Sequence, residues 1–143
     1  MSSKNFTNES EPHEINITDT YGEQWKGTFT YKIKMSGGEL MRASQLRRQY
    51  LGVNSQAATQ AELGIAQIYS QLDVRIVKSP SWWKEAGGQN IPYDVAVEAF
   101  TQAMKVEDDY IQTHNEEARK AREQLRADKA KEEAEEKKAA GEE

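Results

Sequence analysis

Few side chains in this 143-residue sequence have the types and spacing that catalysis requires. The chain has two histidines, His13 and His114, and neither is spaced from a serine or aspartate as a nucleophile is from its base. There is no cysteine, which excludes thiolate nucleophiles and thiolate zinc sites. We therefore expect both histidines to face solvent and predict that the protein is not an enzyme.

The acidic triplet Glu107-Asp108-Asp109 could attract a divalent cation by its charge alone. Consecutive residues of a helix fan around the axis instead of converging, however, and the spacing of a calcium loop is missing. The pairs Gly37-Gly38 and Gly87-Gly88 lack the Lys-Ser/Thr or G-x-G-x-x-G context of a phosphate-binding loop. The sequence therefore predicts a hydrated acidic face and neither a metal nor a cofactor.

Charge is concentrated at the C-terminal end of the sequence. Residues 116–143 contain 8 Lys/Arg and 10 Asp/Glu, and Leu125 is their only large apolar side chain, so this segment cannot join a core. The net charge of the chain is −5 and the signs are interspersed, so we expect no nucleic-acid partner. No apolar run is long enough to suggest a membrane span or a signal peptide, and we expect a cytoplasmic protein.

The pattern predicts a mainly α fold in which an N-terminal β-hairpin packs on a small helical bundle. We expect a flexible lead-in over residues 1–13, a single hairpin-plus-helix domain over 14–115, and a charged tail, helical or disordered, over 116–143. The tail lacks the sustained apolar a and d positions of a coiled coil. An oligomer built in another way stays open.

The hairpin is predicted from alternation. Apolar residues recur at every second position on both sides of a turn at residues 21–24, and they are Ile15, Ile17, Trp25, Phe29, Tyr31, Ile33 and Met35. A two-stranded hairpin is marginally stable alone. Its apolar face should therefore lie on the helices or add a strand to the sheet of a neighbouring chain.

The first helix is predicted to start at a capping box formed by Ser36 and Glu39 and to end at Gly52. The residues expected to point inward are Leu40, Ala43, Leu46 and Tyr50. Arg42, Arg47 and Arg48 are expected to face solvent near the negative end of the helix dipole. Their alternative role is to bind an acidic partner.

Two prolines punctuate the rest of the chain. A helix of about 20 residues follows residues 53–55, with its apolar stripe at Ala58, Ala61, Ile65, Ile68, Leu72 and Ile76. Pro80 ends it, and Ser79-Pro80 should begin a short helix that stops at Gly87-Gly88. A last helix follows Pro92, with its inward stripe at Tyr93, Ala96, Val97, Phe100, Ala103, Met104, Tyr110 and Ile111.

The dipeptide Trp82-Trp83 is the strongest candidate for partner binding. Neighbouring residues on a helix point about 100° apart, so one indole should be in the core and the other half exposed. An exposed indole is a favoured anchor at protein interfaces. The full set of candidate partner-binding residues is Trp82, Trp83, Trp25, Phe29, Tyr31, Arg47 and Arg48.

Three segments carry a resemblance to a known family. They are Gly27-Thr28-Phe29-Thr30 in the hairpin, Leu72 to Val77 running into Ser79-Pro80-Ser81-Trp82-Trp83, and the restart from Gly87-Gly88 to Tyr93-Asp94. In these segments the chain resembles the tail assembly chaperones of long-tailed bacteriophages. The resemblance covers roughly residues 14–112.

The resemblance implies a non-enzymatic protein of the host cytoplasm that coats the phage tape-measure protein and recruits tail-tube subunits. It also implies a short form and a frameshifted longer form, for which the codons of Lys137-Lys138 are a candidate slippery run. The alternative is a structural protein of the virion, a head, neck or tail subunit. Its hairpin and terminal arms would then contact neighbouring virion subunits.

Overall fold

The computed structural model describes residues 8–53 and 55–141 and is mainly α-helical. Its strands are β1 (His13–Thr18), β2 (Gln24–Tyr31) and β3 (Ile76–Lys78), and its helices are α1 (Gly37–Leu51), α2 (Gln60–Arg75), α3 (Ser81–Ala86) and α4 (Tyr93–Ala140). This confirms the predicted fold class. The chain divides into two compact units, Met1–Glu107 and Asp108–Glu143.

The hairpin forms where the alternation predicts it. β1 and β2 pair antiparallel, with Ile15 opposite Gly27 and Ile17 opposite Trp25. The carboxylate of Asp19 holds the turn, because its Oδ1 accepts the N–H groups of Tyr21 (2.8 Å) and Glu23 (2.9 Å). A short polar side chain that bonds the backbone two residues ahead is a common turn-forming device.

A third strand was not predicted. The apolar stripe of α2 was expected to continue through Ile76-Val77, but the helix ends at Arg75 and Ile76–Lys78 pairs antiparallel with the end of β2. The free edge of β2 offers backbone partners that compete with helix propagation, and β-branched Ile76 and Val77 suit a strand. Because β2 ends at Tyr31, the predicted strand positions Ile33 and Met35 lie beyond it.

The N-terminal part of α4 contacts the other edge of the sheet and the hairpin turn. The carbonyl of Glu14 on β1 accepts a hydrogen bond from Gln102 Nε2 at 2.9 Å. Nearer the turn, the N–H and hydroxyl of Thr20 both donate to Asp94 Oδ2, at 2.9 and 2.6 Å. Of the two arrangements left open for the hairpin, the structure has the one that packs on the helices.

Ordered contacts start before the predicted onset near Glu14. The side chain of Asn8 accepts from the N–H of Lys34 at 2.6 Å and donates to its carbonyl at 2.8 Å. The N–H of Ser10 donates to the carbonyl of Tyr31 at 2.7 Å. Residues 1–7, the rest of the predicted lead-in, lie outside the described residues.

The starts of α1 and α2 are set by side-chain caps. The predicted box is present, since Ser36 Oγ accepts from the N–H of Glu39 and Glu39 Oε1 accepts from the N–H of Ser36. A second box, Thr59 with Glu62, starts α2 at Gln60. Pro80 is the N-cap of α3 and not its first residue, and left-handed Gly87 (φ 74°) ends that helix.

The core lies between the sheet and the helices, and small side chains form much of the inner face of α4. Its buried residues are Val95, Ala96, Ala99 and Ala103. Four residues predicted to point inward are exposed, and they are Tyr93, Val97, Met104 and Ile111. Leu40 and Ile65 were also predicted inward and are also exposed. The close approach of sheet and helices favours small residues at the contact.

Candidate partner-binding surface

Aromatic side chains from β2 and α3 form one cluster. Trp25, Phe29 and Tyr31 alternate along β2, and Trp82 and Trp83 come from α3. The ring centroids of Phe29 and Tyr31 are 6.0 Å apart, and Phe29 meets Trp82 and Trp83 edge-on, each at 5.7 Å. Edge-to-face contacts at these distances are favourable beyond the area they bury.

The two adjacent tryptophans divide as the helix geometry predicts. Trp83 is 6% exposed and belongs to the core, whereas Trp82 is half-buried and lies over β2. The indole N–H of Trp82 donates to the carbonyl of Lys26 at 2.9 Å, which fixes the ring on the strand. Trp82 is therefore the member of the pair that reaches the surface.

Trp82 and Trp25 meet edge-on, with ring centroids 5.0 Å apart. The indole N–H of Trp25 donates to Asp19 Oδ2 at 2.9 Å. That hydrogen bond is the main cause of the lowered pKa of Asp19, with smaller contributions from the backbone N–H groups of the turn. Both indoles are thus held in place from within the protein.

We define the tryptophan face as Trp25 and Trp82 with the flanking residues Glu23, Gln24 and Lys26. These residues line a shallow depression of about 360 Å³. Because both indole N–H groups are already bonded, the face offers apolar ring surface between one acidic and one basic side chain. Such a face suits an apolar side chain or an amphipathic helix of a partner.

The other candidate residues of the cluster lie beneath this face. Phe29 and Tyr31 are fully buried and Trp83 nearly so, which means that they support the tryptophan face and do not form it. The hydroxyl of Tyr31 donates to Gln102 Oε1 at 2.8 Å, and burial raises the pKa of this tyrosine. The sequence identified Phe29, Tyr31 and Trp83 as large aromatic side chains, but it did not show that all three are buried.

The arginine pair lies elsewhere. Arg47 donates to Gln67 Oε1 of α2 at 3.4 Å, and Arg48 donates to Ser44 Oγ on its own helix at 3.4 Å. Arg48 is exposed and Arg47 partly buried. Their hydrogen-bond partners belong to α1 and α2, so the structure does not join them to the tryptophan face.

A second depression, of about 260 Å³, opens beside Tyr50 and Tyr69. Behind it Tyr50 donates to Asp73 Oδ2, and burial is the largest cause of the raised pKa of this carboxyl. Tyr69 donates to the carbonyl of Ile91 at 2.6 Å. These polar groups are satisfied internally, which indicates packing. The Tyr50–Asp73 pair was not predicted, although a lone aspartate within an apolar stripe was a signal for it.

The remaining chemical candidates are engaged in structural contacts. His13 contacts the ring of Tyr31, with centroids 5.9 Å apart, and His114 stacks on Tyr110 at 5.6 Å. Glu107 accepts from Arg75, with a shortest N–O distance of 2.9 Å. Within residues 8–53 and 55–141, no group of three His, Cys, Asp or Glu side chains is placed to hold a metal ion.

None of the helices in the described part of the chain combines the length and the apolar character that crossing a membrane would need.

Comparisons of this chain with protein-family models, with curated proteins and with solved structures return no match. The function must therefore be inferred from the chain's own residues.

Proposed function

We propose that this protein is a non-enzymatic tail assembly chaperone of a long-tailed bacteriophage, which binds the tape-measure protein and helps to recruit tail-tube subunits. The observation that carries the proposal is the tryptophan face, in which Trp25 and Trp82 are partly exposed and held by hydrogen bonds. The resemblance in the hairpin and in the Ser79-Pro80-Ser81-Trp82-Trp83 segment supplies the identity of the partners.

A chaperone of this kind has to bind long apolar helices without becoming insoluble. Partly exposed indoles supply apolar contact area at a low cost in side-chain entropy, and their fixed geometry reduces the cost of ordering the site on binding. Phe29 and Trp83 support the indole of Trp82 from below, and Trp82 in turn contacts Trp25. A preformed face therefore favours contact with a succession of similar helical segments over recognition of one unique sequence.

The charged C-terminal segment fits the same role. Beyond Leu125 its side chains to residue 141 are exposed, and both signs are interspersed along the helix. A surface of this composition resists association with other apolar surfaces. It would keep a complex with an apolar partner in solution in the host cytoplasm.

A binding experiment tests the proposal. The wild-type chain and Trp82→Ala would be titrated against a purified apolar helical segment of the tape-measure protein encoded by the same phage. We expect Trp82→Ala to weaken binding at least about tenfold, because truncating a central indole anchor commonly costs 2 kcal/mol or more. The matched control is Tyr21→Ala, which removes an aromatic side chain that is 88% exposed and lies outside the face. Equal affinities for the wild type and Trp82→Ala would contradict the proposal.

The second candidate is a structural subunit of the virion. Gln102 contacts Glu14 of β1, Asp94 contacts Thr20 in the turn, and β3 pairs with β2 at Thr30 and Tyr31. These contacts occupy parts of both hairpin edges, which favours terminal arms as the mode of attachment. Mass spectrometry of purified, intact particles separates the two functions. Stoichiometric recovery of peptides from residues 57–75 and 91–105 would identify a virion subunit, whereas abundance only in the infected-cell lysate would support the chaperone.

A further inference from the structure

The helix of the second unit carries two large apolar side chains that are exposed to solvent. Ile111 is 46% exposed and Leu125 is 68% exposed. They are separated by two heptads, and Ala118 lies midway between them. Residues repeated every seven positions fall on one face of a helix that pairs with another helix. We call residues 108–140 of α4 the tail helix.

A heptad assignment that places Ile111, Ala118 and Leu125 at a puts His114 and Ala121 at d. The intrahelical ion pairs then fall on the opposite face. Arg119–Glu123 (2.8 Å) joins positions b and f, and Lys120–Glu116 (3.6 Å) joins c and f. Between Ile111 and Leu125 the tail helix therefore has one face on which only His114 is neither small nor apolar, and an opposite face with paired charges.

The charges that flank the apolar face are complementary to a second copy of the same helix. In a parallel pair, a residue at g lies beside the residue at e of the next heptad on the other helix, five positions further along. Glu117 at g would thus meet Arg122 at e of the partner. This pair is attractive in the parallel register.

We propose that the tail helix pairs with a second copy of itself, parallel and in register, through residues 111–125. Alanines at 118 and 121 let the two helices approach closely. The pairing ends after Leu125, because the next core positions are Asp128 and Glu132, and each would face a like charge. Two heptads are fewer than a stable coiled coil usually contains, so the dimer forms at high protein concentration.

This inference is independent of the proposed function and is tested on the purified full-length chain without any partner. Sedimentation equilibrium from about 10 μM to about 1 mM, the range in which weak association is measurable, gives the average mass. We expect the mass to rise above 16.2 kDa with concentration. A mass that stays at the monomer value throughout would overturn the proposal.

Variants locate the contact. Ile111→Gln and Leu125→Gln replace apolar residues with a good helix former, and each should weaken association at least about fivefold while helical circular dichroism is retained. The matched control Val53→Gln changes a fully exposed apolar residue outside the tail helix and should leave association unchanged. If both tail variants associate as the wild type does, the proposed contact is wrong.

Charge reversal tests the parallel register. Glu117→Arg and Arg122→Glu should each weaken association, because each reversal places like charges side by side across the interface. The double variant should restore it, since the two charges exchange places. If the double variant associates no better than the single variants, the parallel, in-register arrangement is wrong.

Discussion

Gly27 on β2 is so close to Pro80, the N-cap of α3, that a Cβ atom added to the glycine would overlap Pro80 Cγ and lie 2.8 Å from Pro80 Cβ. Trp82 Nε1 would be 3.3 Å from the same added atom. The absent side chain thus sets the distance between the hairpin and the aromatic cluster, and with it the position of the tryptophan face.

Gly27→Ala is expected to destabilise the protein by about 1 to 3 kcal/mol or more, because both clashing atoms belong to a rigid proline ring. Urea unfolding followed by circular dichroism measures the change. Gly64→Ala is the control. Gly64 lies within α2, the added carbon would meet no atom within 4 Å outside its chain neighbours and the adjoining helix backbone, and the change should stabilise the protein by about 0.5 to 1 kcal/mol. A neutral Gly27→Ala would contradict the close contact.

The two tryptophans of α3 should differ in their effects. Trp83→Ala is expected to lower the free energy of unfolding by about 3 to 5 kcal/mol, as other large truncations in a core do. Trp82→Ala should cost less, about 1 to 2 kcal/mol, because its ring is half-buried. The midpoints of urea unfolding compare them. Equal losses of unfolding free energy for the two variants would contradict the difference in burial between Trp82 and Trp83.

The buried guanidinium of Arg75 depends on Glu107. Arg75 is 4% exposed and also donates to Gln71 Oε1 at 2.8 Å. Glu107→Gln removes the counter-charge and should cost about 3 kcal/mol, the lower end for a broken buried pair, since Glu107 retains some exposure. Glu116→Gln breaks the exposed pair with Lys120 and should change the stability by less than about 0.5 kcal/mol. Differential scanning calorimetry can measure both.

Glu39 should make the protein acid-sensitive. The hydrogen bond from Lys32 and the N–H of Ser36 lower the pKa of Glu39 to about 2. The folded state favours the ionised form of Glu39, so the ionised carboxylate stabilises the fold. This stabilisation is fully present above the ordinary pKa of 4.5 and is lost as the pH falls toward about 2. Glu39→Gln should therefore cost more at pH 7 than at pH 3. If the loss is the same at both values of pH, the ionised carboxylate does not contribute.

The contribution of Asp73 to stability should depend on pH in the opposite direction to that of Glu39. Its pKa is raised from 3.8, mainly by burial, so its contribution to stability is full below pH 3.8 and declines as the pH rises through the folded-state pKa. Asp73→Asn keeps an acceptor for the Tyr50 hydroxyl and cannot ionise. We expect the stability of Asp73→Asn relative to the wild type to improve from pH 3 to pH 7. A relative stability that falls over this range would contradict the raised pKa.

Local signals predicted much of the fold. The capping box of Ser36 and Glu39, the alternation before the hairpin turn and the glycines after α3 each act within a few residues. The third strand could not be predicted in this way, because Ile76 leaves the helix only where the edge of β2 is available. The inner face of α4 was misjudged for the same reason: small side chains are buried where a sheet lies opposite.

The tryptophan face was partly predictable. Adjacent positions on a helix indicate that Trp82 and Trp83 must separate, but not which of them is buried. That choice depends on Gly27 and Trp25, more than 50 residues earlier in the chain, which leave room for Trp82 on the strand. The Arg47–Gln67 contact is likewise set by the packing of α1 on α2, which no local pattern reports.

Gln102 has a consequence for synthesis of the chain. Its amide joins the hydroxyl of Tyr31 and the carbonyl of Glu14, partners that precede it by 71 and 88 residues. At about 5 to 20 residues per second, roughly 4 to 18 seconds of translation separate Glu14 from Gln102. During that interval the edge of β1 lacks its contact with Gln102, and an exposed strand edge is a template for pairing with another nascent chain.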